Sequence, residues 1–332
     1  VIARRRFLAA GIGAACAPLL PLSALSAQAR APGQLTATDV HVDGYPTVEA
    51  VKWIGETLER ETGGRLRIRL YHSGQLGRES EAIDMARFGA IDITRVYSGA
   101  LNNAFPLTEA LCLPYVFDSV AHLRRALDGG VGRAVLDGFA ARDLVGLAVY
   151  DSGARCFYNT RRALRSPDDM RGLKFRVPPS DIFIRLLRLF GANPTPLAFG
   201  AVFSALETRL IDGAENNMRS FHSSRHFEAA GYWSQSEHSY APDILLISRR
   251  SLEALAPGDH ELLVETARES VQVMRELWDA SESAAREAVV AHGVRFNEVD
   301  HDAFRAAAAP LLDEYLAKPD IAPLYRQIRA LA

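Results

Sequence analysis

Hydrophobic and polar positions along the chain follow two periods that take turns. Residues 35–42 (LTATDVHV) and 66–70 (LRIRL) place apolar side chains at every second position, the period of a half-buried strand. Between them Val48, Val51, Ile54 and Leu58 recur at helical spacing over 46–61, and Gly63-Gly64 supply the stop. The pattern then predicts a short helix over about 79–88 and a strand over 90–96. Residues 144–150 (LVGLAVY) form a near-continuous apolar run, which predicts a central strand covered on both faces. Strand and helix alternate throughout, as in an α/β sheet.

A similar plan restarts after Gly153. In the stretch RGLKFRVPPS, Leu173, Phe175 and Val177 alternate with Lys174 and Arg176, and two prolines end the strand. A helix is expected over about 181–190, with Ser180 at its N-cap and Gly191 as its stop. A helix over about 199–208, a short strand over 210–214 and another over 243–248 (DILLIS) follow. The last of these is expected to return to the first sheet. From Asp259 to Ala291 there is no glycine or proline, and apolar residues keep helical spacing. Such a helix runs about 50 Å, longer than one compact lobe, so it is expected to touch both. The fold class is therefore α/β with two lobes. Each lobe is a mixed sheet flanked by helices, a long helix bridges the two, and a cleft lies between them in the manner of type II periplasmic binding proteins. The expected lobes are 30–151 plus 242–280 and 152–241 plus 281–332.

Composition narrows the class. The first 29 residues read as a secretory signal peptide. Arg4-Arg5-Arg6 precede a short apolar run that Pro18 and Pro21 interrupt, and Ala27-Gln28-Ala29 gives a cleavage site. Arg4–Leu8 also fits the twin-arginine pattern, with an ordinary Sec signal as the alternative. Periplasmic localisation is expected. The formal net charge is −2, which argues against nucleic acid as a partner. Only three of the 38 basic residues are lysine, so an abundance of arginine carries no message here and only its placement does. Beyond the signal, Cys112 and Cys156 remain; free, buried thiols are expected over a disulfide, and no metal motif is implied.

Catalytic signatures are missing: there is no G-x-S-x-G, H-E-x-x-H, P-loop or paired C-x-x-C. His222 and His226 are spaced to share one helix face, but no third ligand has suggestive spacing, so a solvated pair is expected. No cofactor is expected. Arg155 and Arg176 stand where sheet ends would face a cleft, the usual ligand position in open α/β sheets. A planar guanidinium matches a carboxylate with two parallel N–H groups. Asn216, just beyond the short strand, adds donors and acceptors. Periodicity alone leaves Arg176 evenly divided between a solvated strand residue and a fixed cation.

The strings YHSGQLGRES, GLKFRVPPSD and ANPTPLAFGAVFSALETRLIDGAENN together resemble the extracytoplasmic solute receptors of TRAP transporters, the DctP-like family, over residues 35–325. The resemblance implies a receptor that closes two lobes around a small organic anion and delivers it to TRAP membrane permease subunits. It implies that Arg176 forms a bidentate pair with the ligand carboxylate, that Arg155 and Asn216 lie near the anion, and that Phe199 packs on the ligand. HVDGYPTV, ITRVYSGALNN, YDSGARCFYN and SEHSYAP resemble the branch that binds sugar acids, hexuronates such as glucuronate and galacturonate among them. For the hydroxyls of such a ligand the candidates are Glu79, His41, Arg95 and Asn217. Glu79 as a helix cap and Arg95 as a loop tie are the structural alternatives. Three departures bear on hydroxyl recognition: the segment between His41 and Tyr45 is one residue short, Cys156 stands where serine is commoner, and Gly200-Ala201 replaces a more usual glycine–glutamate. The expected protein is a monomeric receptor and not an enzyme. The alternatives are a dicarboxylate, keto acid or aromatic acid as ligand, or a periplasmic sugar-acid lyase or isomerase using Glu79 or His41 as base.

Overall fold

The structure, a computed structural model, describes residues 33–332, so the expected signal peptide lies outside the described residues. Eleven strands form among them: β1 (Gln34–Thr38), β2 (Arg67–Tyr71), β3 (Ile93–Tyr97), β4 (Leu144–Tyr150), β5 (Arg155–Asn159), β6 (Lys174–Val177), β7 (Asn193–Pro196), β8 (Gly213–Asn216), β9 (Tyr232–Ser239), β10 (Asp243–Ser248) and β11 (Arg295–Glu298). They build two sheets, one in the order β2-β1-β3-β10-β4 and one in the order β11-β9-β5-β8-β6-β7. Each is mixed. In the first, β10 runs antiparallel to both its neighbours; in the second, β5 does.

These pairings position the site. The parallel strands β1, β3, β6 and β8 deliver their C-terminal ends, and the antiparallel β5 and β10 deliver their N-terminal ends, to the same side of their sheets. Register makes this concrete: Asp243 pairs with both Tyr97 and Tyr150, while Cys156 pairs with Asn216, which sets Arg155 beside the end of β8. In α/β sheets this is where ligands bind.

The chain passes between the sheets at Asp151–Ala154, again at Tyr240–Pro242, and a third time through the helix Pro257–Ala291. That helix packs on Pro46–Glu61 of the first lobe and on Met218–Ser223 of the second, as the uninterrupted helical pattern predicts. Buried Trp278 fixes it, with its ring 5.8 Å edge-on from Tyr45. Gly153 has φ +66°, and a Cβ there would sit 3.1 Å from the Trp278 ring, so close approach and backbone both demand glycine. The first crossing is also held by charge. Buried Asp151 accepts from Arg124 Nε at 2.7 Å and Arg275 Nε at 2.9 Å, and the two arginines pair onward with Asp279 and Asp128.

Several local expectations change. β4 is an edge strand, not a central one; its faces are covered by the helices Gly130–Asp137 and Pro257–Ala291, and that cover, rather than two strand neighbours, accounts for its apolar run. The strand expected over 210–214 begins at Gly213, because Arg209 takes φ +59° and Leu210 is exposed. Asn216 therefore ends a strand instead of following one. Ser180 occupies the N-cap of Asp181–Leu189, yet its hydroxyl accepts from Asn102 Nδ2 at 3.1 Å and makes no cap bond. The final helix, Ile321–Arg329, was expected with the second lobe but packs on Glu109–Cys112 and Gly130–Asp137 of the first. There Ile328 O meets His122 Nε2 at 2.8 Å and Arg329 pairs with Asp118. The preceding helix His301–Leu316 does pack on the second lobe, against Asp181–Leu189. Cys112 and Cys156 are buried and free. Among the described residues no helix is long and apolar enough to cross a membrane.

Candidate functional site

A small cavity of about 30 Å³ lies between the sheet ends, and all eight residues singled out above line it: His41, Glu79, Arg95, Arg155, Arg176, Phe199, Asn216 and Asn217. Both lobes close on it. His41 stacks on Tyr45 with ring centroids 3.7 Å apart and meets Phe199 edge-on at 5.0 Å, and the Tyr45 hydroxyl lies 3.0 Å from Ser220 Oγ.

Three arginines among the described residues are buried, and their partners separate them. Arg95, on β3, is held by Asp39 through two hydrogen bonds (Nε–Oδ2 3.0 Å) and by Glu79 and Asp243, each at 3.3 Å. It ties the loop that starts at Asp39, just after β1, to the first turn of the helix Glu79–Arg87 and to the start of β10, so the loop tie holds alongside a place in the cavity wall. Arg155 makes a bidentate pair with buried Glu215, at 2.6 and 2.8 Å, and donates to Asn216 Oδ1 at 3.0 Å. Arg176 differs: its Nε donates to Leu197 O at 2.9 Å, and no carboxylate pairs with it. Only 4% of Arg176 is exposed, and burial draws its pKa down while Glu215 supports the charge from a distance. The guanidinium still keeps its proton at any physiological pH. A buried cation with no counter-ion is costly, so Arg176 leaves the cavity ready for an anion.

The other side chains are placed as follows. Glu79 opens the helix Glu79–Arg87, but its Oε1 accepts from Tyr97 N at 2.9 Å and from Arg95, while Glu81 Oε2 caps by accepting from Arg78 N. Asn217 Oδ1 caps the helix Met218–Ser223 by accepting from Ser220 N at 2.7 Å. Asn216 Oδ1 accepts from Asn217 N as well as Arg155; its amide nitrogen carries two further donors. Burial, with Arg95 nearby, lowers the His41 pKa to about 3, so its ring is neutral and can give or take one hydrogen bond at each nitrogen. His41 Nδ1 and Tyr97 Oη are buried polar atoms without a hydrogen-bond partner.

Sequence reasoning missed Tyr97, Ser152, Ser220 and Asp243, which also line the cavity. A signal was present for two: Tyr97 closes the strand that carries Arg95, and Asp243 opens the strand expected to return to the first sheet. Asp243 is the third acid around one arginine. Burial, only partly offset by Arg95 and reinforced by Glu79 and Asp39, raises its pKa to about 6. Glu215 goes the other way: burial pushes its carboxyl up, but Arg155 and His238 outweigh that and bring it to about 2. His222 and His226 fall on separate helices, divided by Arg225 at φ +58°, and His226 Nδ1 lies 2.7 Å from Tyr158 Oη. Among the described residues no acidic, His and Cys group is arranged to hold a metal.

Two α/β lobes whose sheets are joined by three crossings, closing on a cavity where a single guanidinium lacks an anion, define a cleft-type receptor for an organic acid. The chain belongs to the DctP family, the bacterial extracellular solute-binding proteins of family 7, whose pattern it matches over residues 38–318, and these are the receptors of TRAP transporters. Its backbone is similar to that of a TRAP periplasmic solute-binding protein from Bradyrhizobium in complex with D-galacturonate (42% identity, 90% of this chain and 99% of that one, TM-score 0.87). It is similar to one from Roseobacter denitrificans with bound β-D-glucuronate (38% identity, 90% and 99%, TM-score 0.87). A solute-binding protein of Chromohalobacter salexigens is 34% identical over 293 residues, 88% of this chain and 87% of that protein. Members of the family are periplasmic receptors for small acids that work with a membrane permease.

Proposed function

We propose that this protein is the periplasmic receptor of a TRAP transporter for a hexuronate, glucuronate or galacturonate, which it delivers to the permease as a monomer. Arg176 anchors the carboxylate, and the observation that carries this is its burial in the cleft without a counter-ion. Arg155 is already neutralised by Glu215, so its role is to orient Asn216 and lend a positive field, with Asn216 donating to the same anion. Phe199 covers the apolar face of the ring. Glu79, His41, Arg95 and Asn217 meet the hydroxyls, and Tyr97 and Asp243 join them. Among the described residues the lobes are 33–151 plus 242–280 and 152–241 plus 281–316, with the last helix docked on the first. The uronates bound by structures 42% and 38% identical support this ligand class.

Calorimetry on purified protein with glucuronate, galacturonate, succinate and pyruvate tests the reading. A hexuronate is expected to bind tightest and to be recovered unchanged. Stripping one partner from a buried, hydrogen-bonded charge pair costs about 2–5 kcal/mol, so Arg176→Ala should weaken binding roughly 30- to 4,000-fold. Unchanged affinity in that variant removes Arg176 as the anchor, and chemical turnover of the sugar replaces the receptor with an enzyme.

A further inference from the structure

The charges around the inner cavity do not balance, and their partners say where. On the second lobe Glu215 is spent on Arg155, and Arg176 has no carboxylate. On the first lobe three acids share one arginine: Asp39, Glu79 and Asp243 all pair with Arg95. The other titratable groups around Asp243 carry no charge. Burial lowers the pKa of His41, and of His238 behind Glu215, and it raises those of Tyr45, Tyr97 and Tyr150. The excess of acid around Arg95 is thus offset only by Arg176, whose charge Glu79 supports across the cavity. A hexuronate carboxylate on Arg176 removes that offset. Buried carboxylates close together with too few cations do not all stay ionised; one of them takes a proton.

Hydrogen bonding decides which acid yields, because each bond donated to a carboxylate favours its charged form. Asp39 accepts from Arg95 Nε and Nη2, from Thr47 Oγ1 at 2.9 Å and from His41 N at 2.8 Å. Glu79 accepts from Arg95 Nη1 and from Tyr97 N. Among the described residues Asp243 has a single donor, the same Arg95 Nη1 at 3.3 Å. It is 2% exposed and lines the cavity, so water does not make up the difference. Burial and its acidic neighbours already raise its pKa to about 6. We propose that hexuronate binding draws one proton from solution onto Asp243, which then holds the sugar as a neutral acid, with Oδ1 kept on Arg95 and the O–H on Oδ2 donating to a sugar oxygen. This rests on the anchoring of the hexuronate carboxylate by Arg176. The proton comes from water or buffer, and no bond in the sugar changes.

Calorimetry with galacturonate and glucuronate at pH 7.5 in phosphate and in Tris, whose heats of ionisation differ, counts the protons taken up. About one per ligand is expected, and affinity should fall about tenfold from pH 7 to pH 8 while staying level below about pH 5. Asp243→Asn copies the shape of the neutral acid. It should take up no proton, keep a level affinity from pH 6 to pH 8, and at pH 8 bind about tenfold more tightly than wild type. Three results each overturn the proton on Asp243 and leave the proposed function standing: a wild type that binds with no proton taken up at pH 7.5, an uptake that persists in Asp243→Asn, or a variant that binds more weakly than wild type at pH 8. If no hexuronate binds to the wild type, both fall.

Discussion

Seven charged side chains meet within or behind the inner cavity, and their partners decide what each can do. Glu215 sits in a fully buried pair with Arg155, and breaking such a pair by removing one partner costs about 3–5 kcal/mol. Glu215→Gln should lower stability by that amount at pH 7. Because its folded pKa is depressed, to about 2, the stabilisation is present above the unfolded value near 4.5 and is lost as pH falls from there. Asp243 has the opposite sign. Its pKa is raised to about 6, so the fold holds its proton more tightly than the unfolded chain does, and stability declines as pH rises from about 4 to about 6. Asp243→Asn should therefore raise the melting temperature at pH 7.5 by the equivalent of about 1–3 kcal/mol and leave it unchanged at pH 4. Thermal melts across pH 4–8 check both, and a gain in Asp243→Asn that is equal at pH 4 and pH 7.5 would exclude the charge explanation. Arg176 was half legible in the sequence. Alternation put it opposite Phe175 and Val177, but the absence of a counter-ion depends on residues from distant segments. The cluster of Asp39, Glu79 and Asp243 around Arg95 left no trace in any local pattern, because four separate segments supply it.

Among the elements, the long helix and the returning strand matter most. The helix Pro257–Ala291 was legible end to end, since uninterrupted helical spacing without glycine or proline admits few other readings. Its packing on the first lobe passes through Trp278, which is 2% exposed. Trp278→Ala should cost about 3–5 kcal/mol, as large-to-small changes at buried aromatics do, read as a shift in the urea midpoint. Gly153→Ala, which asks for a Cβ at positive φ against the same ring, should destabilise by about 1–2 kcal/mol in wild type and by less in the Trp278→Ala background. Equal costs in the two backgrounds would show that the ring is not what excludes a side chain at Gly153. β4 teaches the converse lesson. An apolar run reports that two faces are covered and is silent on what covers them; helices do so here.

For the molecule as a whole, Tyr45 to Ser220 is one direct polar link between the lobes, with Asn102 to Ser180 another, and it is reinforced by the His41–Phe199 contact. An ordinary hydrogen bond contributes about 0.5–1.5 kcal/mol, so Tyr45→Phe should weaken ligand binding about 2- to 10-fold by making closure less favourable. Calorimetry would show this as a change in affinity with the stoichiometry kept, and unaltered affinity would mean that the pair adds nothing to closure. One apolar cluster is continuous between the lobes, with the tilted rings of Tyr97 and Phe183 6.1 Å apart, which favours unfolding of both lobes together in a single calorimetric transition. The position of β10 also bears on how the chain is made. Its partners β3 and β4 are complete by residue 150, yet the strand that lies between them is not synthesised until residues 243–248. A ribosome must add almost a hundred residues while two adjacent strand edges wait unpaired, and such edges invite pairing with other chains. The first sheet thus stays incomplete until five of the six strands of the second have been translated, and a product that terminates before Asp243 is expected to aggregate in place of forming a half-receptor.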